Sequence, residues 1–357
     1  MSNPIFIIAE AGVNHNGERD MAFQLVDAAV DAGADAVKFQ TFVAEHVTTK
    51  LTKKAVYQQR NSGKDESQYE MLKKLELPHE LHYDLIDYCK GKKILFLSTA
   101  FDFESLEFLY RKLALKILKI ASGEITNGPF LLAHARTGKA LILSTGMASM
   151  GEIEEALGVL AFGYLSSEKP SRAEFQEVYC SKEGQQVLKE KVTLLHCTSE
   201  YPVPMHDINL KAMITLRDAF GLKVGYSDHS EGISVATAAA ALGATLIEKH
   251  FTLDKHLQGP DHKASLNPVE LKEMVSAIHS VEQALGTGVK CVMPMELDNK
   301  NSVRKCIVAK CKIVKGENYS KHNLTFKRTE QGLNPMNYWD MLGTPSHHNY
   351  EAGDVLR

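Results

Sequence analysis

Two histidines close short hydrophobic runs. His229 ends Val224-Gly225-Tyr226-Ser227-Asp228-His229, and His250 ends Leu246-Ile247-Glu248-Lys249-His250. Both runs read as buried strands with an imidazole where the strand stops. Two neutral imidazoles from the ends of consecutive strands suit a borderline divalent metal with open coordination positions, and open positions serve catalysis. One strand-end histidine is more often structural. Two at matching places, among other strand-end polar residues, make a metal site the stronger reading.

Those other residues recur along the chain. The first run ends in Glu10, followed by Gly12-Val13-Asn14-His15-Asn16-Gly17, and the second carries Lys38 and Gln40. Lys119 precedes Ser122-Gly123-Glu124, Ser144 precedes Thr145-Gly146-Met147, and His196 opens Cys197-Thr198-Ser199-Glu200-Tyr201-Pro202. Ser227 and Asp228 precede His229, and Lys249 precedes His250. Lys38 and Lys119 with Ser122, Ser144 and Ser227 would bind phosphate or carboxylate, the ammonium groups supplying charge and the hydroxyls geometry. The competing arrangement pairs the lysines with Glu10 and Glu124 in a buried structural network. The same two carboxylates are the acid/base candidates beside the metal. Asp261, after Gly259-Pro260, adds a carboxylate at the same mouth or serves only as a turn residue. A metal that polarises a carbonyl beside an anion pocket suits aldol-type carbon–carbon bond formation.

Such a set must be held by repeated strands. Apolar, β-branched runs predict strands over 5–9, 36–40, 94–98, 115–120, 140–144, 192–196, 223–227 and 245–249. Helical spacing falls between them over 21–32, 80–89, 104–112, 128–137, 151–162, 209–220, 233–242 and 268–285, with Gly33, Gly91, Gly138, Gly221 and Gly243 placed as left-handed helix caps. Eight alternations predict an α/β fold, a closed (β/α)8 TIM barrel over 1–285, with an open doubly wound sheet as the alternative. The long 41–78 connection leaves a strand end, so it is either a substrate cover or a passive insertion. The 163–190 connection follows a helix, belongs to the opposite face and receives no catalytic role. Residues 286–300 read as a linker, and 301–357 as a small β-rich domain too short to be comfortably stable alone.

Bulk properties narrow the class. With 41 Lys and Arg against 44 Asp and Glu, the formal charge of −3 gives no basic surface for nucleic acid or anionic membrane. No apolar run approaches the roughly 20 residues that span a bilayer. The six cysteines form no CxxC pair, so reduced thiols in a cytoplasm are expected.

Ile8-Ala9-Glu10-Ala11-Gly12-Val13-Asn14-His15-Asn16-Gly17, Val37-Lys38-Phe39-Gln40, Lys119-Ile120-Ala121-Ser122-Gly123-Glu124, Leu143-Ser144-Thr145-Gly146-Met147 and His196-Cys197-Thr198 resemble the bacterial sialic acid synthase family. So do Tyr226-Ser227-Asp228-His229, Glu248-Lys249-His250-Phe251 and Gly259-Pro260-Asp261-His262-Lys263. The tail from Lys315-Gly316-Glu317 through Asn323-Leu324 and Lys327-Arg328 to Leu342-Gly343 resembles the antifreeze-like (SAF, β-clip) domain that ends those enzymes. The likeness runs in order along nearly the whole chain.

The resemblance implies a barrel plus antifreeze-like domain in a domain-swapped homodimer. Its reaction would condense phosphoenolpyruvate with an N-acylated hexosamine such as N-acetylmannosamine, giving a nine-carbon 2-keto acid and phosphate. By the same likeness His229 and His250 would hold Mn2+, with Mg2+ or Co2+ as substitutes. Lys38, Gln40, Lys119, Ser122, Ser144 and Ser227 would hold phosphoenolpyruvate. Glu10 would act beside the metal with Glu124 in support, and Tyr201 and Asp261 would contact the sugar. Arg328 would reach the sugar site of the other subunit, although Thr329-Glu330-Gln331-Gly332 replaces the family's Pro-Gly-Asn-Gly turn. Glu200-Tyr201 also resembles members that use N,N′-diacetylated 6-deoxyhexoses to make legionaminic acid. Asn61 is a sugar-contact candidate by proximity alone. The remaining readings are another metal-dependent barrel aldolase and a catalytically silent relative serving in surface-polysaccharide assembly or as a glycan-binding module.

Overall fold

Apolar residues alternate along each strand run, one set for each face of a sheet. In the computed structural model, which describes residues 4–62 and 66–357, these runs form eight parallel strands. They are β1 (Phe6–Gly12), β2 (Ala36–Thr41), β3 (Leu95–Ala100), β4 (Ile117–Ile120), β5 (Ala140–Ser144), β6 (Val192–His196), β7 (Lys223–Asp228) and β8 (Leu246–His250). They close into a barrel in chain order, with β8 returning to β1 through pairs from Phe6↔Leu246 to Glu10↔His250. The open-sheet alternative is thereby excluded.

Two apolar layers hold the barrel. Outward residues such as Ile7, Ala9, Val37, Phe39, Leu118, Leu143 and Leu194 pack under the surrounding helices in one continuous core. Inward residues Ile8, Ala36, Leu97, Ile142, Leu195 and Leu246 form a plug within the barrel. Truncating a buried leucine of this kind to alanine costs about 2–5 kcal/mol. Gly225 belongs to the plug for a steric reason: a Cβ there would lie 2.3 Å from the Leu246 carbonyl oxygen and 2.8 Å from Leu195 Cδ2.

Local signals set the helix ends. Helix Met150–Leu165 opens on a Ser149/Glu152 capping box, and Pro268–Leu285 on an Asn267/Glu270 box with proline in its first turn. Gly33 and Gly221 cap their helices at φ 82° and 62°. Gly91 does not: helix His79–Lys92 runs through it, and Lys93 takes the left-handed position at φ 61°. The 163–190 connection is more ordered than its polarity predicts. It carries helices Arg172–Cys180 and Lys182–Lys191, and Phe175 from the first packs on Phe162 at 5.2 Å between ring centroids. The 41–78 connection carries Ala44–Val47, Val56–Ser62 and Gln68–Leu75. Among the described residues, no helix is long and apolar enough to cross a membrane.

The chain divides into two compact units, Met1–Gly286 and Thr287–Arg357. The second unit has its own small core of Ile307, Ala309, Ile313, Tyr319, Leu324, Tyr350 and Leu356. Antiparallel β9 (Lys305–Ala309) and β10 (Leu324–Arg328) form its sheet. Residues 286–300, read as a linker, include the start of helix Leu297–Val303. After β10, Gly332 stands at φ 150°, where a Cβ would lie 2.4 Å from Val355 Cγ1 and 2.8 Å from Cys306 Cβ. The glycine of this turn is required by that close approach.

Candidate active site

Strand alternation puts a polar layer directly above the inward apolar plug. Two residues beyond Ile8, Ala36, Leu97, Ile142 and Leu246 stand Glu10, Lys38, Thr99, Ser144 and Glu248, with Lys119 on β4 and Ser227 on β7 completing the ring. Glu10, Lys38, Lys119, Ser144, Ser227 and Glu248 are each at most 5% exposed. Lys38 Nζ lies 2.6 Å from Glu10 Oε2 and 3.5 Å from Glu248 Oε2, and donates to Thr99 Oγ1 at 2.9 Å. Lys119 Nζ lies 3.5 Å from Glu248 Oε1 and donates to Ser144 Oγ at 2.7 Å. Gln40 Nε2 donates to Glu10 Oε1 at 3.3 Å. The lysines therefore do pair with carboxylates, but the carboxylate beside Lys119 is Glu248 rather than Glu124.

Glu248 was missed among the candidates, although alternation could have found it. It lies two residues before His250 and so faces the same way. Lys249, between them, points outward and pairs with Asp228 at 2.8 Å, both side chains fully buried.

Charge is divided unequally between the two inner carboxylates. Burial pushes Glu10 up to about 7, and the Glu248 charge adds to that against Lys38. Burial also opposes ionisation of Glu248, but Lys119 and Lys38 outweigh it and hold that carboxyl well below its usual range. Lys38 is raised, because Glu10 and Glu248 outweigh its burial, whereas burial and Lys38 lower Lys119. Two lysines thus face two unequal carboxylates, and uptake of a proton by Glu10 would leave the layer one positive charge in excess, which favours an anion.

The imidazoles stand at the rim of this layer. His229 Nδ1 donates to the Thr198 carbonyl at 2.7 Å, which leaves Nε2 as an acceptor with Ser227 Oγ 3.4 Å away. His250 Nδ1 is buried with no hydrogen-bond partner and lies 3.8 Å from Asp261 Oδ2. The two ring centroids are 5.6 Å apart. Burial holds His229 down at about 4 and His250 well below its ordinary value, so both are neutral near pH 7. An unprotonated Nε2 oriented through the carbonyl on the far side of its ring, an orphaned buried nitrogen and neutral rings fit a divalent metal. Among the described residues, no group of three or more His, Cys, Asp or Glu is placed to hold a metal ion.

Gly12 shows how closely the two groups approach. It follows a register slip after Glu10, at φ 55°, and a Cβ on it would be 3.4 Å from Gln40 Nε2, Glu10 Oε1 and His250 Cε1 alike. Nearby, Ser122 Oγ accepts from Gly146 N at 3.0 Å and lies 3.1 Å from Cys197 Sγ. A Cβ on Gly146 would stand 2.5 Å from Ser199 Oγ and 2.8 Å from Ser122 Oγ, so the loop closes only over glycine.

The remaining candidates divide into three groups. Tyr201 lies over His229 with centroids 4.1 Å apart and edge-on to His250 at 5.5 Å. Asp261 is buried, and burial pushes its carboxyl up to about 6. Asn61 Nδ2 donates to the Pro260 carbonyl at 2.7 Å, which puts part of the 41–78 connection against this mouth. Glu124, half-buried just beyond Ser122, accepts from Asn127 Nδ2 at 2.8 Å and is not part of the lysine network. Arg328 is exposed on β10 of the second unit, in register with Lys305.

The NeuB family model matches residues 25–290. The chain is 49% identical over 351 residues to the N,N′-diacetyllegionaminic acid synthase of Campylobacter jejuni, covering 98% of both chains. It is 45% identical to the enzyme of the same name from Legionella pneumophila, covering 98% of this chain and 93% of that one. A solved N-acetylneuraminic acid synthetase from Leptospira borgpetersenii is 34% identical, with a TM-score of 0.66, covering 84% of this chain and 93% of that one. The barrel, its charged inner layer and these likenesses agree: the chain belongs to the NeuB family and is a phosphoenolpyruvate-condensing synthase.

Proposed function

We propose that the chain joins phosphoenolpyruvate to an N,N′-diacetylated 6-deoxyhexose, giving the nine-carbon 2-keto acid legionaminic acid in its diacetylated form and releasing phosphate. The observation that carries the chemistry is Glu248, which touches Lys38, Lys119 and Ser227, with Ser227 in turn beside His229. The anion side and the imidazole side thus form one constellation. The two relatives at 49% and 45% identity, both named for diacetyllegionaminic acid, support this sugar. N-acetylmannosamine is the second reading, supported by the 34% identical N-acetylneuraminic acid synthetase.

Lys38, Gln40, Lys119, Ser122, Ser144 and Ser227 hold the phosphate and carboxylate of phosphoenolpyruvate. His229 and His250 would hold a divalent metal, Mn2+ first and Mg2+ or Co2+ as substitutes, which would supply Lewis acidity toward the aldehyde oxygen. The enol carbon attacks the aldehyde, water adds to the cationic carbon left behind, and the C–O bond to phosphate breaks. Glu10 moves the protons these steps require, helped by burial that keeps its carboxyl near neutrality in proton affinity. Glu124 supports from beyond Ser122, and Tyr201 and Asp261 orient the sugar. Holding both reactants in one mouth removes much of the entropic barrier.

The chain works as a domain-swapped homodimer in which the partner subunit's Arg328 completes the sugar site. The cytoplasm, where phosphoenolpyruvate is made, is its place. Incubation with phosphoenolpyruvate, Mn2+ and each sugar in turn tests the reading: phosphate release with the diacetylated sugar and its loss on chelation are expected. Turnover with neither sugar would refute it.

A further inference from the structure

Helix Val56–Ser62 has no part in the chemistry above, and none of its side chains is buried. Three of them nevertheless grip the barrel mouth. Tyr57 lies against Tyr201 with ring centroids 4.9 Å apart and 32° between planes. Arg60 forms an ion pair with Glu200, the residue before Tyr201. Asn61 Nδ2 donates to the Pro260 carbonyl at 2.7 Å and reaches the Tyr201 carbonyl at 3.5 Å. On its other side Tyr201 meets His229 at 4.1 Å and 34°. Tyr201 thus has Tyr57 of this helix and His229 of the barrel mouth as close aromatic neighbours.

An aromatic side chain on a loop has several staggered rotamers, and close neighbours on its own ring and on the adjoining residue favour one of them. We propose that Tyr57 and Arg60 are positioning residues. From the 41–78 connection they hold Tyr201 over the two imidazoles, and so set affinity for the aldehyde sugar without acting on the phosphoenolpyruvate side. This rests on the reading of Tyr201 as a sugar contact. The division follows from the layout, since Lys38, Lys119 and Ser144 are fixed by contacts within the barrel that do not involve helix Val56–Ser62.

The test compares Tyr57→Ala, Tyr57→Phe, Arg60→Gln, Glu200→Gln and the paired exchange Arg60→Glu with Glu200→Arg in the full-length chain. Steady-state kinetics are run with each substrate varied, and amide exchange is followed by mass spectrometry on the free protein. Tyr57→Ala is expected to raise KM for the sugar about tenfold, the scale of one lost aromatic contact, and to leave KM for phosphoenolpyruvate within about twofold. Exchange should quicken at 198–204 and 56–62 while the barrel strands stay protected. Tyr57→Phe should restore both, and the charge exchange should recover what either single change loses. Equal rises in both KM values, a Phe variant as impaired as the Ala variant, or unchanged exchange at 198–204 would overturn the inference. Should the wild-type chain turn over neither sugar, the substrate reading falls, while the exchange comparison still decides whether Tyr57 holds Tyr201.

Discussion

Ser227 donates its hydroxyl hydrogen to the Glu248 carboxylate at 3.0 Å, and this contact joins the two halves of the site. Glu248 reaches both lysines from β8, and the same serine oxygen lies 3.4 Å from His229 Nε2. The two lysines and the imidazole pair are therefore linked through Glu248 and Ser227.

Glu248→Gln keeps the shape of that carboxylate and removes its charge, leaving Lys38 and Lys119 to repel each other. Breaking a buried ion pair by removing one partner costs about 3–5 kcal/mol, so the variant should melt lower than the wild type. Phosphoenolpyruvate would replace the missing negative charge. It should raise the variant's Tm more than that of the wild type, as differential scanning fluorimetry can show. An equal or smaller rise in the variant counts against an anion site at these lysines.

His229→Ala and His250→Ala should each lose Mn2+ affinity by at least about 100-fold, the scale of a lost inner ligand or its orienting partner. Circular dichroism and phosphoenolpyruvate binding should remain. Titration calorimetry of the metal reads this directly, and full affinity in either variant refutes the ligand assignment.

Much of this arrangement was legible in the sequence, because a barrel strand carries its side chains in strict alternation and its C-terminal end opens on one mouth. Lys38, Lys119, Ser144, Ser227, His229 and His250 could all be placed by counting strands. Glu248 escaped because it was read as part of an apolar run, although its spacing from His250 fixes its direction. Gly91 misled because a glycine near a helix end invites a cap, whereas the helix runs on to Lys92 and Lys93 takes the left-handed position. The helices in 163–190 were hidden by polarity: Arg172–Cys180 has no fully buried side chain and so no strong apolar stripe. The reach of Tyr57, Arg60 and Asn61 to residues 140 positions away, or further, depends on tertiary packing that periodicity does not encode.

Stability should fall in mild acid because of buried histidines outside the site. His82 and His134 are lowered to about 4 by burial. His134 Nδ1 donates to the Phe130 carbonyl at 2.9 Å while its Nε2 is buried without a partner. The unfolded chain takes up a proton on each near pH 6.5, and the folded chain only near pH 4. Stability from these groups is therefore whole above pH 6.5 and is lost as pH falls toward 4. Between pH 7.5 and 5, urea unfolding should show the wild type losing about 2 kcal/mol more than His134→Gln. Equal losses would contradict the assignment of a neutral buried His134.

Mixing Arg328→Ala with Lys119→Ala chains should restore part of the activity if each site draws its arginine from the other subunit. One of the two sites in a hybrid dimer would then carry both intact residues. No rescue, despite subunit exchange confirmed by native mass spectrometry, would count against a shared site.

The most direct measurement is anomalous diffraction at the manganese edge from crystals grown with Mn2+ and phosphoenolpyruvate. One peak is predicted within bonding distance of both His229 and His250, with the substrate's phosphate or carboxylate oxygens on Lys38 and Lys119 in the same cavity. A metal peak away from those imidazoles, or phosphoenolpyruvate bound in a separate pocket, would contradict it.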